Sequence, residues 1–591
     1  MVFPEETVPC RVQYKERRYT DVVWGLLNIA VYISYLATGI YVVTLSKPRH
    51  TTLPDGSRGL SEFYMEDAAT CCANTNNGYV CSIYEETLNN GGRRLAAGLS
   101  KFDGDEGIFD AFLEAPLIIA GLLSIVLGVS IIWIILLRFF AKPIVILVEI
   151  IKIGIVIAVG VYQQDTRTQI WCFVIAALML AFAIWQRKNI IFASKMIKHS
   201  TVSLKENPSI LAGSLFTKLL YAGNAALFVL FFAKSFDAVQ IKQIDIEGYY
   251  NYSYCDFVYP GYIQNIGIFW SLAYLWTILL FDQMRLSIIA SICGSWHFHP
   301  EDKPTVFKAI TNVIKSFGTI SVSSLIATIA EKVNRMMSQD AWMSWISPTI
   351  CITWPFHCFM CIFGTCIHTC VKMLTGYAVV LHTFTGANFI GSARNSFKIL
   401  SRHFQGGFVT DITSRSLFTL ASYAFSFCIA LIAWVWIDAE FSAGSLPQES
   451  TGYLWILWFV VILFNVYYPV LGLYVLIIAN KFLRDYERSN LNLYLESGGQ
   501  QGTMPTNHFW IPPLAGTFVG CIAMMFFTFI SHMFLDIITT LFLCFAIDKD
   551  NNVDLKGQEF ESLVKEMPGY LGDKFDDKDP EQAEAIPVKT Y

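Results

Sequence analysis

The sequence is poor in charged residues. Asp, Glu, Lys and Arg make up 15% of its 591 residues, whereas soluble domains carry about 25%. It also lacks a basic excess, since the formal net charge is −5, and nucleic-acid-binding proteins carry a basic patch or stripe. A soluble globular protein and a nucleic-acid-binding protein are therefore both disfavoured.

Motifs for catalysis are missing as well. The chain has no Walker loop, no HExxH and no motif that pairs a nucleophile with a base. A membrane-embedded enzyme is the least favoured function class, and no cofactor is expected.

Long apolar runs are what the sequence has instead. Hydrophobic residues form 54% of the chain and aromatic residues 15%. The runs are roughly 20 residues or longer, enough for an α-helix to cross the ~30 Å hydrocarbon core of a bilayer. Backbone polar groups in lipid must bond within the chain, so the runs predict an all-α, polytopic transmembrane bundle of about 10–11 spans. The candidate spans are Val22–Thr44, Pro116–Leu137, Pro143–Tyr162, Gln169–Trp185, Ile210–Phe232, Ile263–Cys293, Val306–Ala330, Trp342–Val371, Ser416–Trp436, Tyr453–Asn480 and Pro512–Phe545.

Basic residues set the predicted orientation. Four of them, between positions 11 and 18, precede the first span, and cytosolic segments are the ones enriched in Lys and Arg. Residues 1–21 are therefore predicted to be cytosolic. Residues 22–545 are predicted to form the membrane domain, with an outer loop over 47–111, and residues 546–591 an acidic cytosolic tail.

Four cysteines fall in two predicted outer loops. Cys71, Cys72 and Cys81 lie in the first loop and Cys255 in the second. Because disulfides form in oxidising compartments, these residues are disulfide candidates, with free thiols as the alternative. Four cysteines allow three pairings, and the sequence does not choose among them. The second loop also carries Asn251 in an Asn-Tyr-Ser acceptor, which predicts a glycan in the secretory pathway.

A second group of cysteines does not predict a metal site. In "HCFMCIFGTCIHTC" (His357–Cys370), the cysteines fan out over more than half the circumference of a continuous helix at ~100° per residue. The first and the last are also ~18 Å apart along the axis. The thiols cannot converge on one ion, so packing against helices or lipid is expected.

Three stretches carry a family resemblance. They are "KERRYTDVVWGLL" (Lys15–Leu27), "GANFIGSARNSFKILSRHF" (Gly386–Phe404) and "TTLFLCFAIDKD" (Thr539–Asp550). In this order they resemble the choline transporter-like family of solute carriers. The resemblance implies a multi-span membrane protein with cytosolic termini and a glycosylated first outer loop. It also implies transport of choline or a related small amine. The plasma membrane is the expected location, with an intracellular organelle membrane as the alternative.

The chain departs from that family in two places. Thr539 stands where the family motif has Asp, although Asp536 lies one turn earlier. Tyr453–Asn480 is an additional apolar segment, and if it crosses fully the C-terminus ends outside; a re-entrant or interfacial element near Pro469–Gly472 is the alternative. These departures keep open a non-transporting scaffold or accessory subunit that retains the fold.

One segment predicts where an amine would bind. In "FWSLAYLWTILLFDQMR" (Phe269–Arg285), four residues share one helix face at i, i+4, i+7 and i+11 spacing. They are Trp270, Tyr274, Thr277 and Phe281. A trimethylammonium group cannot donate a hydrogen bond, and ring faces hold its charge at about 0.5–2 kcal/mol each. These residues are the predicted substrate-binding face, with Tyr423 and Trp434 as secondary candidates; simple packing between helices is the alternative.

Two charged pairs lie inside predicted spans. Asp282 and Arg285 are three residues apart near the inner end of their span, which predicts an ion pair at the membrane interface, with a buried switch as the alternative. Glu149 and Lys152 are also three apart, and an ionisable residue inside the membrane is a functional candidate by default. For Glu149 and Lys152, a proton-coupling site and a structural pair both stay open.

Overall fold

A computed structural model provides the structure of the protein. It describes residues 19–47, 50–52, 58–75, 80–82, 84–85, 116–162, 166–235, 237–245, 253–298, 305–344, 350–441 and 511–550. The predicted glycan at Asn251, the segment 453–480, residues 1–18 and the tail from 551 onward lie outside these residues.

Helices dominate the described residues. In chain order they are α1 (Val22–Leu45), α2 (Met65–Thr75), α3 (Pro116–Tyr162), α4 (Thr166–Trp185), α5 (Arg187–Glu206), α6 (Ser209–Ser235), α7 (Gly261–Phe298), α8 (Val306–Lys315), α9 (Phe317–Ser344), α10 (Ile350–Thr385), α11 (Phe389–Phe441) and α12 (Ile511–Asp550). Two antiparallel hairpins accompany them: β1 (His50–Thr52) with β2 (Arg58–Leu60), and β3 (Gln240–Asp245) with β4 (Ser253–Val258). These hairpins are small additions that the apolar pattern did not predict.

The predicted all-α, polytopic bundle is confirmed. Among the described residues, six helices are long and apolar enough to cross a membrane, or up to eight if each sharply bent pair is one span. The total of about 10–11 spans stays a prediction, because one candidate span lies outside the described residues. The protein is an integral, multi-pass membrane protein.

The predicted spans 116–137 and 143–162 belong to one helix, α3, which is kinked between them. Non-helical dihedral angles interrupt the helix at Phe140 (φ −120°, ψ 22°). Pro143 accounts for the position, because proline has no N–H to donate and its ring clashes with the carbonyl four residues earlier.

The structure also changes the bounds of two predicted spans. Val306–Ala330 is not one straight span, since α8 and α9 are bent by 73° around Ser316. The predicted span 342–371 begins in α9 and continues in α10, which runs on to Thr385. Hydropathy averaged along the chain detects apolar length but not a change of direction, which explains the error in Val306–Ala330.

Two compact units share the chain. The first contains residues 1–103, 202–407 and 536–591, and the second contains 104–201 and 408–535. Helices α5, α11 and α12 therefore each pass from one unit into the other.

Small residues pack the helices of the first unit. Gly213 on α6 lies against Ile288 on α7, where a Cβ would come within 2.6 Å of the isoleucine Cγ2. The hydroxyls of Ser287 on α7 and Thr383 on α10 are hydrogen-bonded at 2.9 Å. Such contacts are typical of membrane helices, because lipid is as apolar as their side chains and association depends on close packing and hydrogen bonds.

The first unit also carries a disulfide cap, formed by β2, α2 and the hairpin β3–β4. Its disulfides join Cys71 to Cys255 and Cys72 to Cys81, which is one of the three pairings that the sequence left open. Since Cys71 and Cys255 belong to different loops, their bond fixes both loops on the same side of the membrane.

In the second unit, α3, α11 and α12 share an apolar core. Val126 of α3 packs with Ile429 of α11 and Phe527 of α12. A hydrogen bond of 2.8 Å between the hydroxyls of Ser422 and Ser531 joins α11 to α12.

Candidate functional site

Trp270, the first residue of the predicted aromatic face, is enclosed by protein. Its side chain is 1% exposed, and its Nε1–H donates a 2.9 Å hydrogen bond to Thr38 Oγ1 on α1. Its ring centroid lies 5.8 Å from that of Phe231 on α6. Trp270 thus connects α7 to both α1 and α6.

Tyr274 lies one turn further along α7. Its ring stacks on Phe228 of α6, with centroids 4.2 Å apart and planes at 22°. Its hydroxyl is buried and lies next to that of Tyr221. The tyrosine ring is therefore packed between α6 and α7.

Thr277 and Phe281 complete the predicted face. The Thr277 hydroxyl is buried and donates to the backbone oxygen of Ala273 at 2.8 Å. Phe281 is half-buried. Of the four predicted residues, Phe281 has the most accessible side chain, and the other three are buried.

Arg285 is the centre of a buried ionic arrangement. Its Nη1 donates to Asp282 Oδ1 at 3.0 Å, and its Nε donates to Asp536 Oδ2 on α12 at 2.7 Å. The side chain of Arg285 is 7% exposed, that of Asp536 16% and that of Asp282 37%. The pair therefore has a third member, Asp536, while its predicted location at the membrane interface stays a prediction. The contact with Asp536 could not be predicted from α7 alone, because this residue lies 251 positions further along the chain.

Lys218 on α6 brings a second cation to this region. Its Nζ lies 4.4 Å from the centroid of the Tyr221 ring, and its charge interacts with those of Asp282 and Arg285. A cation over a ring face is worth about 0.5–2 kcal/mol. The sequence interpretation missed Lys218 and Tyr221, although a lysine within the apolar run Ile210–Phe232 was an available signal.

Asp282, Arg285 and Asp536 are joined by hydrogen bonds, and Lys218 adds a second positive charge near them. These four residues are called the charge cluster, which has two positive and two negative formal charges. Burying such charges is costly unless each is paired and hydrogen-bonded. The rings of Tyr221 and Tyr274 lie next to this cluster. Helices α6, α7 and α12 therefore bring ring faces and ionic groups together inside a membrane domain, which is the chemistry needed to bind a charged amine.

Glu149 and Lys152, in the second unit, form an ion pair with 2.7 Å between Oε2 and Nζ. Lys152 Nζ also donates to Ser416 Oγ on α11 at 3.0 Å, so the pair links α3 to α11. This bond fits the structural alternative, while a coupling role stays a prediction. Tyr423 and Trp434 lie on α11 of the same unit, and both are half-buried.

Metal-ligand geometry is confined to the disulfide cap in the part of the chain that the structure describes. The group with three ligand-type atoms close enough for one ion is Cys72, Cys81 and Cys255, and all three thiols are used in disulfides. In the cysteine-rich segment, His368 of α10 forms a 2.8 Å contact with Glu331 of α9.

Comparison with known proteins decides the family. A family model described as "Plasma-membrane choline transporter" matches residues 170–482, which is more than half of the chain. The chain belongs to this choline transporter family. The resemblance drawn from the three sequence stretches is thereby confirmed.

Curated relatives of this family member are distant in sequence. The chain is 22% identical to "Choline transporter-like protein 1" of Caenorhabditis elegans over 321 residues, which cover 50% of the chain and 42% of the relative. It is 22% identical to "Choline transporter-like protein 2" of Xenopus laevis over 357 residues, 54% of the chain and 50% of the relative. It is 23% identical to "Choline transporter-like protein 4" of Homo sapiens over 410 residues, 56% of the chain and 57% of the relative. The chain spans about half the length of the curated relatives it matches.

The sequence departs from the family resemblance at Thr539, one turn after the acid of the charge cluster on α12. Thr539 replaces the motif Asp, and Asp536, one turn earlier on α12, is the residue that bonds Arg285. Lys218, Asp282 and Arg285 all lie inside the matched residues 170–482, whereas Asp536 lies beyond them.

Proposed function

We propose that this protein carries choline or a related small amine across a membrane, with the plasma membrane as its location. The observation that supports this most is the position of ring faces and charged groups on neighbouring buried turns of α7. Membership of a transporter family points the same way, and it favours transport over catalysis.

In this proposal the ring faces bind the ammonium group. The Lys218 ammonium lies 4.4 Å from the centroid of the Tyr221 ring. The face of this ring therefore accepts a cation in the folded protein. Tyr274 is next to Tyr221. On the same face of α7, Trp270 lies toward the N-terminal end of the helix, whereas Thr277 and Phe281 lie toward the charge cluster.

A carboxylate of the charge cluster assists the rings. Asp282 is its most accessible acid, at 37% exposure, and it shares Arg285 with Asp536. When an amine approaches Asp282, Arg285 keeps its 2.7 Å contact with Asp536. The guanidinium is then never left without a carboxylate, which avoids the cost of an unpaired buried charge.

The proposed orientation follows from the basic N-terminus and the disulfide cap. Positive residues near the first span favour a cytosolic N-terminus, and the disulfides favour an oxidising compartment on the side of the cap. The loop 47–111 and Asn251 then lie outside, and the tail 546–591 lies in the cytosol.

A non-transporting scaffold or accessory subunit is the second candidate. Two observations favour it: Thr539 replaces the family acid, and Trp270 and Tyr274 are packed between helices. The two candidates differ in whether an amine crosses the membrane, and not in the fold.

Uptake of radiolabelled choline by the purified full chain in liposomes tests the proposal. We expect uptake above that of empty liposomes, loss of uptake in Asp282→Asn, and normal uptake in Asp237→Asn. Asp237 is a matched control because it is also a partly exposed acid, 38% exposed, paired at 3.6 Å with Lys234. Absence of uptake of both choline and ethanolamine by the unmodified protein would favour the scaffold.

A further inference from the structure

Asp21, the residue before α1, ties three helix ends together. Its backbone is left-handed (φ 50°, ψ 38°), and its side chain does not cap α1. Instead its Oδ2 accepts a hydrogen bond from Thr319 Oγ1 at 2.7 Å and another from the backbone N–H of Phe389 at 2.9 Å. Thr319 lies in the first turn of α9 and Phe389 begins α11, so one oxygen atom links the starts of α1, α9 and α11.

The surrounding residues are shaped for this contact. Thr20 Oγ1 is hydrogen-bonded to Thr319 Oγ1 at 2.7 Å. Gly318 lies directly against the backbone oxygens of Thr20 and Asp21, where a Cβ would have no room. The bend between α8 and α9 directs this glycine toward α1. Two of the three family-like stretches, the first and the second, therefore meet at Asp21.

The start of α11 depends on Asp21 for a hydrogen bond that its own turn does not supply. The first N–H groups of a helix have no partner within the helix, and a carboxylate there is favoured by the helix dipole. Asn388 Oδ1 accepts from the N–H of Gly391 at 3.0 Å. The N–H of Phe389 is instead bonded by Asp21, from 368 residues away in sequence.

We propose that Asp21 is a latch that holds the cytosolic ends of α1, α9 and α11 together, and that transport requires it. Its bonds to Thr319 and Phe389 constitute the latch. Asp21 is a positioning residue in this inference, since it acts on helices and not on the substrate. The cytosolic location and the link to transport rest on the proposed function, whereas the latch itself does not.

Two substitutions separate the latch from backbone strain. Asp21→Gly removes the carboxylate and tolerates the positive φ without strain. Asp21→Asn also tolerates this backbone and keeps an oxygen that can accept both hydrogen bonds. Asp21→Ala is unsuitable, because it would lose the bonds and add strain at once.

Hydrogen–deuterium exchange of the Phe389 amide is the direct readout, because that N–H donates to Asp21. In the purified full chain, we expect exchange to become about tenfold faster or more in Asp21→Gly, as for loss of a hydrogen bond to a charged group. Asp21→Asn should stay close to the unmodified protein, and amides of α2 in the disulfide cap should not change. Equal exchange at Phe389 in all three proteins would overturn the latch.

Choline uptake in liposomes tests its use in transport. We expect Asp21→Gly to lose most uptake and Asp21→Asn to retain it. Equal uptake by Asp21→Gly and the unmodified protein would overturn the role of the latch in transport. If no variant takes up choline while exchange at Phe389 differs as expected, the proposed substrate is wrong and the latch stands.

Discussion

Replacing Arg285 with methionine tests whether the charge cluster holds helices α7 and α12 together. Methionine fills similar space without a charge or a hydrogen bond donor. The Arg285 side chain is 7% exposed and contacts two carboxylates, at 2.7 and 3.0 Å. Arg285→Met therefore removes the cation that is hydrogen-bonded to both Asp282 and Asp536, and Asp536, at 16% exposure, has less access to water than Asp282.

The expected loss of stability is large. Removing one partner of a buried ion pair costs about 3–5 kcal/mol, because the remaining charge stays buried without compensation. The double variant Arg285→Met with Asp536→Asn removes the uncompensated acid. It should be more stable than Arg285→Met alone, with a coupling of about 1–3 kcal/mol between the two sites.

Thermal unfolding of the purified protein in detergent, at one fixed scan rate, measures this difference. Lys234→Met is the matched control, since Lys234 is 45% exposed and its contact with Asp237 is 3.6 Å long. An exposed pair of this kind contributes about 0–1 kcal/mol. Equal losses in Arg285→Met and Lys234→Met, or an Asp536→Asn substitution that lowers stability further in the Arg285→Met background, would refute the reasoning.

Three further predictions concern the aromatic face, the second charged pair and the cap. Tyr274→Leu and Trp270→Leu should weaken choline binding severalfold, and by up to ~30-fold if a desolvated cation–π contact of ~2 kcal/mol is lost. Substitution by Phe should have a smaller effect, because a ring is kept. Equal affinities of all these proteins in equilibrium binding would exclude choline binding by the aromatic face of α7. Glu149→Gln should flatten the pH dependence of uptake if Glu149 couples protons, and an unchanged profile would leave only the structural pair. Removing the Cys71–Cys255 disulfide should destabilise the cap by about 5 kcal/mol in a chain-entropy estimate, because this disulfide joins residues 184 positions apart. An unchanged rate of limited proteolysis of the cap would contradict the prediction.

Features that depend on local sequence could be predicted. Helices such as α1 and α6 follow from apolar length alone, because lipid allows the backbone no other way to bond. The kink at Phe140 falls in the gap between two predicted spans, although the sequence predicted two separate helices and not one kinked helix. The four cysteines of the cap were also identified as disulfide candidates, because they lie in loops between predicted membrane spans.

Features that depend on distant contacts could not be predicted. The pairing of Arg285 with Asp536 and of Asp21 with Phe389 joins residues 251 and 368 positions apart. Spacing along one helix predicted that Trp270 and Tyr274 share a face, which α7 bears out. It could not say that α1 and α6 cover that face, because the covering side chains come from other segments.

Choline counterflow tests the central claim most directly, because it needs no knowledge of a driving ion. Liposomes that contain the purified protein are loaded with unlabelled choline and diluted into a trace of labelled choline. Exchange through a carrier predicts that the label rises transiently above its final equilibrium level inside the liposomes. A label that only equilibrates, at the rate of protein-free liposomes, would contradict choline transport.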